Sequence, residues 1–264
     1  MSIIVFQVDS FSSVPFKGNP AGVCVLNEPA NEKWMQDIAM EMNLSETAFL
    51  WPQGNKYGLR WFTPSVEVNL CGHATLAAAH ILWEQKYLSE NETAKFITKS
   101  GLLSASKRGE KIYLDFPSQP PTQCLPPLLL TEAFDEKIVF CGNNHQNDFL
   151  LEFESEALVR NFKPKFDVLK KLAIRGLIVT AQSFNKDYDF VSRFFACGVG
   201  VDEDPVTGST HCALAPYWSK KLASNNLVAF QASKRGGVVG CELKGDRVIL
   251  SGAALTIFRI EMLS

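Results

Sequence analysis

Two short segments of the chain combine a glycine turn with side chains that could handle a proton or an anion. They are Cys71-Gly72-His73-Ala74-Thr75 and Asp204-Pro205-Val206-Thr207-Gly208-Ser209. The first leads into an alanine-rich run that favours a helix, and the first amides of a helix lack internal partners and carry partial positive charge. We therefore predict two helix N-termini that suit a carboxylate or a phosphate, and that would cradle a small anion if they faced one cleft.

Three side chains beside these turns could move or hold a proton. His73 lies in the first turn, where it could relay protons near neutral pH or simply cap backbone groups. Glu46 falls where a helix should give way to a strand. Partial desolvation there would make Glu46 a usable general acid/base, although a solvated surface glutamate is the commoner case. Asp204 precedes the second turn and could equally be a capping aspartate.

Common metal and cofactor signatures are missing from the sequence. Neither Cys71-x-His73 nor His211-Cys212 has a common zinc spacing, and we find no phosphate loop or dinucleotide fingerprint. The seven cysteines are scattered and never spaced as CxxC. We expect no metal and no cofactor, and reduced thiols in a cytoplasmic protein.

Composition narrows the classes of partner. The chain has 264 residues, 46% of them hydrophobic and 20% charged, which is ordinary for a globular protein of two domains. A formal net charge of -2 gives no electrostatic case for binding nucleic acid or an anionic membrane. No apolar run reaches the roughly 18 residues of a membrane span, and the N-terminus is predicted to be a strand and not a signal peptide.

The two halves of the chain contain matching segments in the same order, which predicts an internal duplication. Gly101–Leu114 aligns with Gly237–Leu250 without a gap, and both are predicted hairpins. Gly18-Asn19 and Gly142-Asn143 each precede an apolar run. A helix is then predicted in each half, with a strand after it. These helices are Glu32–Met42 and Phe166–Ala173.

A proline-rich stretch separates the halves. Residues 117–127 disfavour helix and are predicted to be a linker. We therefore place the domains at 1–116 and 117–264. The last predicted strand, 253–260, has no counterpart at the end of the first half, so it could cross back to the first domain.

In this order, the segments resemble the PhzF-like phenazine biosynthesis family, within the diaminopimelate epimerase-like fold. The matching segments are Asp9–Phe11, Gly18–Val23, Leu44–Phe49, Arg60–Pro64, Cys71–Thr75 and Asp204–Ser209. The resemblance implies an α+β protein with two pseudo-symmetric domains, each a barrel-like sheet around a central helix. It also implies a cofactor-free, metal-free isomerase that forms a homodimer, with its active site between the domains.

The resemblance also assigns roles to individual positions. Glu46 falls where the family has its proton-shuttling carboxylate, and His73 and Asp204 fall on supporting acid/base or substrate-orienting positions. Substrate-binding positions are Asn19, Ser45, Gly72, Gly208 and Ser209. Related epimerases use two facing cysteines as paired bases. Here Cys71 stands at the first such position and Thr207 at the second, which disfavours two-thiol racemisation and suggests that Cys71 is only a small buried residue.

Three functions follow as hypotheses. The first is an isomerase in which Glu46 removes a proton from a small carboxylate substrate and returns it elsewhere in the same conjugated system. The second is an amino-acid racemase or epimerase of the same fold, with His73 or Asp204 replacing the missing thiol. The third is a non-catalytic ligand-binding protein.

Overall fold

The computed structural model describes residues 3–263. The helices there are α1 (Glu32–Met42), α2 (Gly72–Glu84), α3 (Leu128–Thr131), α4 (Glu156–Asn161), α5 (Phe166–Leu169) and α6 (Gly208–Leu222), with a 3-10 turn at Cys197–Val199. The strands are β1 (Ile4–Ser10), β2 (Asn19–Val25), β3 (Glu46–Gln53), β4 (Lys56–Phe62), β5 (Glu67–Val68), β6 (Ala94–Thr98), β7 (Gly101–Arg108), β8 (Lys111–Pro117), β9 (Thr122–Gln123), β10 (Ile138–Asn143), β11 (Asp148–Phe153), β12 (Gly176–Gln182), β13 (Phe190–Phe195), β14 (Asn226–Gln231), β15 (Gly237–Lys244), β16 (Arg247–Gly252) and β17 (Ala254–Glu261).

The chain divides into two compact units. Unit 1 takes the residues up to Asp115 and those from Ser251 onward, and unit 2 comprises Phe116–Leu250. This division differs from the sequence-based boundaries, 1–116 and 117–264, chiefly in the final strand. β17 belongs to unit 1 because it pairs antiparallel with β1 along its whole length, from Ile4 opposite Glu261 to Ser10 opposite Ala254.

The same succession of strand pairings occurs in both units. In unit 1, β2 lies parallel to β3, β3 antiparallel to β4, β4 parallel to β6, and β6 antiparallel to β7. In unit 2, β11, β12, β13, β14 and β15 repeat these four pairings in the same order and directions. The mixed α+β architecture and the duplication predicted from the sequence are confirmed.

Each unit packs its sheet against one long helix rich in small residues. In α2 every residue except Gly72, His80 and Glu84 is buried, and the helix packs against β1, β2, β3 and β17. In α6 the buried side runs from Gly208 to Ser219 and packs against β14 and β15. A helix that is apolar on most sides must be surrounded, so these two helices form the centres of their units.

The predicted helix Glu32–Met42 is confirmed residue for residue as α1. The Asn31 side chain caps it by accepting from the amides of Lys33 and Trp34, and it ends at Asn43 in the left-handed conformation, with a φ of 48°. Met35 and Ala39 are fully buried against the sheet. Burial of a side chain the size of methionine contributes about 1.5–3 kcal/mol, so this apolar face fixes α1 on β3 and β4.

The corresponding helix of unit 2 is shorter than the predicted Phe166–Ala173. Regular α-helix ends at Leu169, and the next amides bond three residues back, Lys171 to Val168 and Leu172 to Leu169. The tighter turn has poorer hydrogen-bond geometry and does not extend far. The short helix α4, capped by Ser155, precedes it and supplies Val159 to an aromatic core with Phe153 and Phe195.

The longest helix in the described residues has 15 residues, and none of the helices there is long and apolar enough to span a membrane. A span needs about 20 apolar residues.

Candidate active site

The N-terminus of α2 is built without a side-chain cap. Cys71 occupies the cap position in extended conformation, with φ -143° and ψ 112°, and within the described residues its side chain caps none of the first amides. Thr75 instead bonds back to the Cys71 carbonyl, with its hydroxyl at 2.5 Å and its amide at 3.1 Å. The first amides of α2 are therefore oriented outward at the positive end of the helix.

Three reactive side chains meet at this helix end. His73 Nε2 lies 3.1 Å from Glu46 Oε2, and His73 Nδ1 lies 3.5 Å from Cys71 Sγ. Glu46 comes from the first residue of β3, next to Ala21 on the parallel strand β2. The thiol and the imidazole are buried, whereas the side chain of Glu46 is 19% exposed. Glu46 is thus the least buried member of the cluster, although its Oε2 atom is itself shielded from solvent.

Neighbouring polar groups hold the imidazole in place. Asn19 Nδ2 lies 3.2 Å from His73 Nδ1, and Ser45 donates to Asn19 Oδ1 at 3.2 Å. Ser10 donates to the His73 carbonyl at 2.8 Å. The antiparallel pairing of β1 with β2 places Ser10 directly opposite Asn19, so one strand pair supplies both contacts. Both ring nitrogens therefore have a polar neighbour.

Opposing effects set the charge of His73. Burial by itself lowers the pKa of His73, but negative charge at Cys71 and at Glu46, with hydrogen bonds to both, raises that pKa well above 6.5. Burial raises the pKa of the Cys71 thiol to about 11, so the thiol is neutral near pH 7 and Glu46 is the anion that favours a charged His73. The Asn19 amide can present its nitrogen to an unprotonated Nδ1 or, after a flip, its oxygen to a protonated Nδ1. It can therefore pair with the neutral or the charged ring.

The N-terminus of α6 has the same backbone design with different side chains. Thr207 is the extended cap residue, with φ -118°, and Gly208 is the first helical residue. His211 Nδ1 lies 2.7 Å from the Thr207 carbonyl, as Thr75 bonds the Cys71 carbonyl in α2. The Thr207 hydroxyl donates to the Asp204 carboxylate.

Gln231 braces the turn before α6. Its Oε1 accepts from the Thr207 amide at 2.8 Å, and its Nε2 donates to the Asp204 carbonyl at 2.8 Å. Because Gln231 is fully buried on β14, these bonds fix the backbone between Asp204 and Thr207.

A positive charge stands beside Ser209. Arg175 Nη1 donates to Ser209 Oγ at 3.2 Å, while the same guanidinium forms an ion pair with the fully buried Asp148. The Asp148 carboxylate also accepts from Asn144 Nδ2 at 3.1 Å. The start of α6 therefore supplies positive potential around the Ser209 hydroxyl, and Arg175 donates to that hydroxyl while Asp148 balances its charge.

The structure sorts the sequence-predicted residues by unit. Unit 1 brings together Glu46, His73, Asn19, Ser45 and Gly72. Unit 2 brings together Asp204, Gly208 and Ser209. Their catalytic and binding roles stay predictions.

Three neighbours were not predicted as site residues from the sequence. Cys71 was expected to be an inert buried residue, yet its thiol contacts His73. The sequence feature that could have marked Cys71 as a site residue is its position two residues before a histidine in the same turn. Arg175 and Gln231 lie 34 and 24 residues from the positions they bond, Ser209 and Thr207, and no local pattern marks them.

The duplicated units, each with a buried central helix, have the diaminopimelate epimerase-like fold. The family model described as phenazine biosynthesis-like protein matches residues 8–259. The chain belongs to this PhzC-PhzF family.

Relatives and solved structures agree with this assignment. A Halalkalibacterium halodurans protein named as an uncharacterized isomerase is 51% identical over 264 residues, covering 100% of this chain and 99% of that protein. The mouse phenazine biosynthesis-like domain-containing protein 2 is 40% identical, covering 97% of this chain and 98% of its own. The crystal structure of a PhzF family protein from Enterococcus faecalis has a TM-score of 0.94 and 42% identity, covering 100% of both chains.

A more distant structure shows the fold alone. A probable proline racemase from Agrobacterium radiobacter superimposes with a TM-score of 0.65 at 13% identity, covering 98% of this chain and 92% of that one.

Proposed function

We propose that the protein is an isomerase that moves a proton within a small carboxylate substrate by general acid/base catalysis. The observation that carries the proposal is the Glu46–His73 pair, 3.1 Å apart at the uncapped N-terminus of α2. The isomerase names of the bacterial relatives, 44–51% identical to this chain, support the reaction class.

Glu46 is the proposed proton carrier. Its carboxylate takes a proton from a substrate carbon, and the electron pair of that C–H bond moves into the adjoining conjugated system. The same carboxyl group then returns the proton to another carbon of that system, so the overall step is an isomerisation without net gain or loss of atoms. A positioned acid/base of this kind contributes typically about 10²–10⁴-fold in rate.

His73 is the proposed partner of that carboxylate. A charged imidazole beside Glu46 stabilises the anion before the proton moves, and it can donate to negative charge that develops on the substrate afterwards. The raised pKa of His73 keeps this donor available near neutral pH.

The amides at the start of α2, beginning with Gly72, are proposed to bind the substrate carboxylate. In the described residues α3 and α5 begin without a side-chain cap, whereas Asn31 caps α1 and Ser155 caps α4. Within the described residues, neither Cys71 nor Thr207 does so for its helix. Uncapped amides at the positive helix end are available for an anion. Asn19 and Ser45 are proposed to bind substrate through the same polar cluster.

For unit 2 we propose a binding and orienting role. Asp204 accepts from Thr207 next to the start of α6, and Gly208 and Ser209 form its first turn beside Arg175. These groups suit a carboxylate or hydroxyl of the substrate. Since proton transfer of this kind draws on side-chain and backbone groups alone, we propose that the reaction needs no cofactor.

Deuterium exchange tests the proposal. Small carboxylates, including dihydroaromatic acids, are incubated with the protein in deuterated water, and the label is read by mass spectrometry. We expect incorporation at the carbon that loses and regains the proton, and its loss in Glu46→Gln. Glu41→Gln is the matched control, since Glu41 is an exposed residue of α1 with the same chemical change. Full exchange by Glu46→Gln would show that Glu46 is not the proton carrier.

An amino-acid racemase is the second candidate, and one contact favours it. The Cys71 thiol stands at the position of a catalytic cysteine in related epimerases and lies 3.5 Å from His73. Its raised pKa of about 11 makes it a poor base near neutral pH, and Thr207 stands where a second thiol is needed. Loss of optical rotation from L-amino acids would favour the racemase over the isomerase.

We also propose that the protein works in the cytoplasm as a homodimer. The seven cysteines, all within the described residues, are free thiols, which fits a reducing compartment. The dimer rests on the family resemblance, and light scattering tests it by giving twice the chain mass of 29.3 kDa.

A further inference from the structure

Two cysteines of unit 2 lie side by side where the chain enters that unit. Gly142 of β10 is paired with Gln123 of β9 in antiparallel register, which places Cys141 directly opposite Cys124. The Cys124 amide donates to the Cys141 carbonyl at 3.1 Å. The two Sγ atoms are 3.9 Å apart, within reach of a thiol–thiol hydrogen bond.

The backbone spacing of this pair suits a disulfide. Residues directly opposite each other on antiparallel strands have Cα atoms about 4.5–5.5 Å apart, and disulfides join Cα atoms about 4.4–6.8 Å apart. An S–S bond is about 2.05 Å long, so the sulfurs of Cys124 and Cys141 must approach each other by about 1.9 Å. Rotation of the two side chains supplies that approach while the strands keep their hydrogen bond.

The segment that carries Cys124 is packed closely against β10. A side-chain carbon at Gly142 would lie 3.1 Å from Pro121 Cβ and 2.9 Å from the Phe140 ring, so this glycine lets the chain before Cys124 approach the strand. Cys141 is buried in the hydrophobic core of unit 2, and Cys124 packs against the same core. The folded protein therefore holds the two thiols together.

The two thiols differ in exposure and in acidity. Of the seven cysteines, all within the described residues, Cys124 alone is half-buried and the other six are buried. Burial, together with negative charge at Cys124 and the hydrogen bond between the sulfurs, raises the pKa of Cys141, so Cys141 remains a thiol near pH 7. A reagent in solution therefore reaches Cys124 first.

We propose that Cys124 and Cys141 are a site of reversible oxidation, at which a small disulfide such as oxidised glutathione converts the two thiols into an intramolecular disulfide. The Cys124 thiolate attacks one sulfur of the small disulfide, whose S–S bond breaks and releases one thiolate. Cys141 then loses its proton and attacks the Cys124 sulfur, which releases the second small thiolate. The two cysteines lose two electrons and two protons, and one small disulfide becomes two small thiols. This site is independent of the function proposed above.

The bond changes the freedom of the chain between the two cysteines, which are 17 residues apart in the sequence. The loop that it closes contains α3 and the exposed side chains of Leu125 and Leu128. A cross-link of this span removes conformational freedom from the unfolded chain. Since the paired strands already have a suitable spacing, we expect oxidation to stabilise the folded protein.

Peptide mapping tests the pair. The reduced full-length protein is incubated with glutathione mixtures of increasing oxidised fraction, quenched with acid, alkylated in denaturant and digested with trypsin. Lys137 lies between the two cysteines, so trypsin places them in separate peptides unless a disulfide joins them. We expect the joined peptides in the wild type, with both thiols protected from alkylation, and reversal by dithiothreitol.

Single substitutions test the order of the two steps. In Cys141→Ser, Cys124 should retain one glutathione as a mixed disulfide, because the thiol that displaces it is missing. In Cys124→Ser, Cys141 should stay unmodified because it is buried. Cys197→Ser, in the same core, is the matched control and should give the joined peptides as the wild type does. An adduct on Cys141 in Cys124→Ser, with none on Cys124 in Cys141→Ser, would contradict the order.

Thermal unfolding measures the consequence. Oxidation should raise the midpoint by about 5–10 °C in the wild type and leave it unchanged in Cys124→Ser, which decides the question if Cys141→Ser does not fold. The proposal is overturned if the joined peptides are absent at the most oxidising mixture, if the wild type stops at the mixed disulfide, or if Cys124 joins a different cysteine. A wild-type midpoint that falls on oxidation would also overturn it, because the bond would then not fit the folded backbone.

Discussion

The N-terminal turns of α2 and α6 share a backbone design and differ in the chemistry of their side chains. Both begin with an extended residue that does not cap the helix through its side chain in the described structure, followed by glycine. In each, the fourth helical residue bonds back to the carbonyl of the cap residue, Thr75 in α2 and His211 in α6.

The difference lies in what surrounds the second helical residue. His73 in α2 faces the carboxylate of Glu46, whereas Ser209 in α6 accepts from the guanidinium of Arg175. The α2 turn thus has two titratable groups, Glu46 and His73, that face each other. The α6 turn has the Ser209 hydroxyl beside the permanently charged Arg175. After duplication, the same scaffold can serve proton transfer in one copy and anion binding in the other.

The buried histidines of the two turns show how strongly a neighbouring titratable group changes the pKa of an imidazole. Burial lowers the pKa of His211 to about 4, with only a backbone carbonyl bond opposing it. Burial also lowers the pKa of His73, but the anionic neighbours reverse the direction. A buried histidine is therefore an acid/base candidate only when a titrating partner faces it.

The largest expected effect is on the rate of deuterium exchange. It comes from giving the second residue of α2 the side chain that the second residue of α6 has. His73→Ser gives α2 the residue that α6 has, and it removes the cationic partner of Glu46. We expect deuterium exchange to fall about 10²–10⁴-fold. Ser209→Ala is the comparison in α6, and we expect it mainly to raise KM, because a lost hydrogen bond to substrate costs about 1 kcal/mol. Equal losses of turnover in both variants would contradict the division of roles.

The next largest effect is on the pH dependence of stability in unit 2. The pKa of His211 is about 4 in the folded protein and near 6.5 when unfolded, so the unfolded chain binds more protons between these values. Stability is lost as pH falls through this window, by on the order of 3 kcal/mol. Urea unfolding of wild type and His211→Leu from pH 7 to pH 4 measures it.

His211→Leu should lose less stability between pH 7 and pH 4 than the wild type. For His73 we expect stability to change with pH in the opposite direction, because its pKa is raised in the folded protein. The stability that charged His73 adds is fully present below about pH 6.5 and disappears as pH rises through the folded pKa. An identical pH slope for wild type and His211→Leu would contradict a neutral, buried His211.

The smallest effect concerns the shared scaffold. Thr75→Val keeps the shape of the side chain and removes the hydroxyl that donates to the Cys71 carbonyl at 2.5 Å. We expect a loss of about 1 kcal/mol in the free energy of unfolding, with Kd for substrate little changed. Thermal unfolding measures the loss, and Thr93→Val at an exposed position is a control for the substitution itself.

Much of this arrangement could be predicted from local sequence. Apolar periodicity identified α1 with its correct ends, and the ordered repeats identified the duplicated units. Glycine followed by small residues located both helix starts. These features depend on neighbours within a few residues, so sequence patterns contain them.

The remaining features depend on contacts between distant strands. Gln231 reaches Thr207 from β14, and Arg175 joins Asp148 to Ser209 across tens of residues. The contact of Cys71 with His73 depends on the rotamers that the fold imposes. The end of α5 was predicted wrongly because its last turn tightens to three-residue bonds, which composition does not reveal.

An NMR titration of the histidine rings tests the central claim that Glu46 and His73 form a proton-transfer pair. The chain has only four histidines, so their ring signals can be assigned by single substitutions. We expect His73 to titrate well above pH 6.5 in the wild type and markedly lower in Glu46→Gln, with His211 unchanged near pH 4. A wild-type His73 that titrates below 6.5, or one that Glu46→Gln leaves unmoved, would contradict the account.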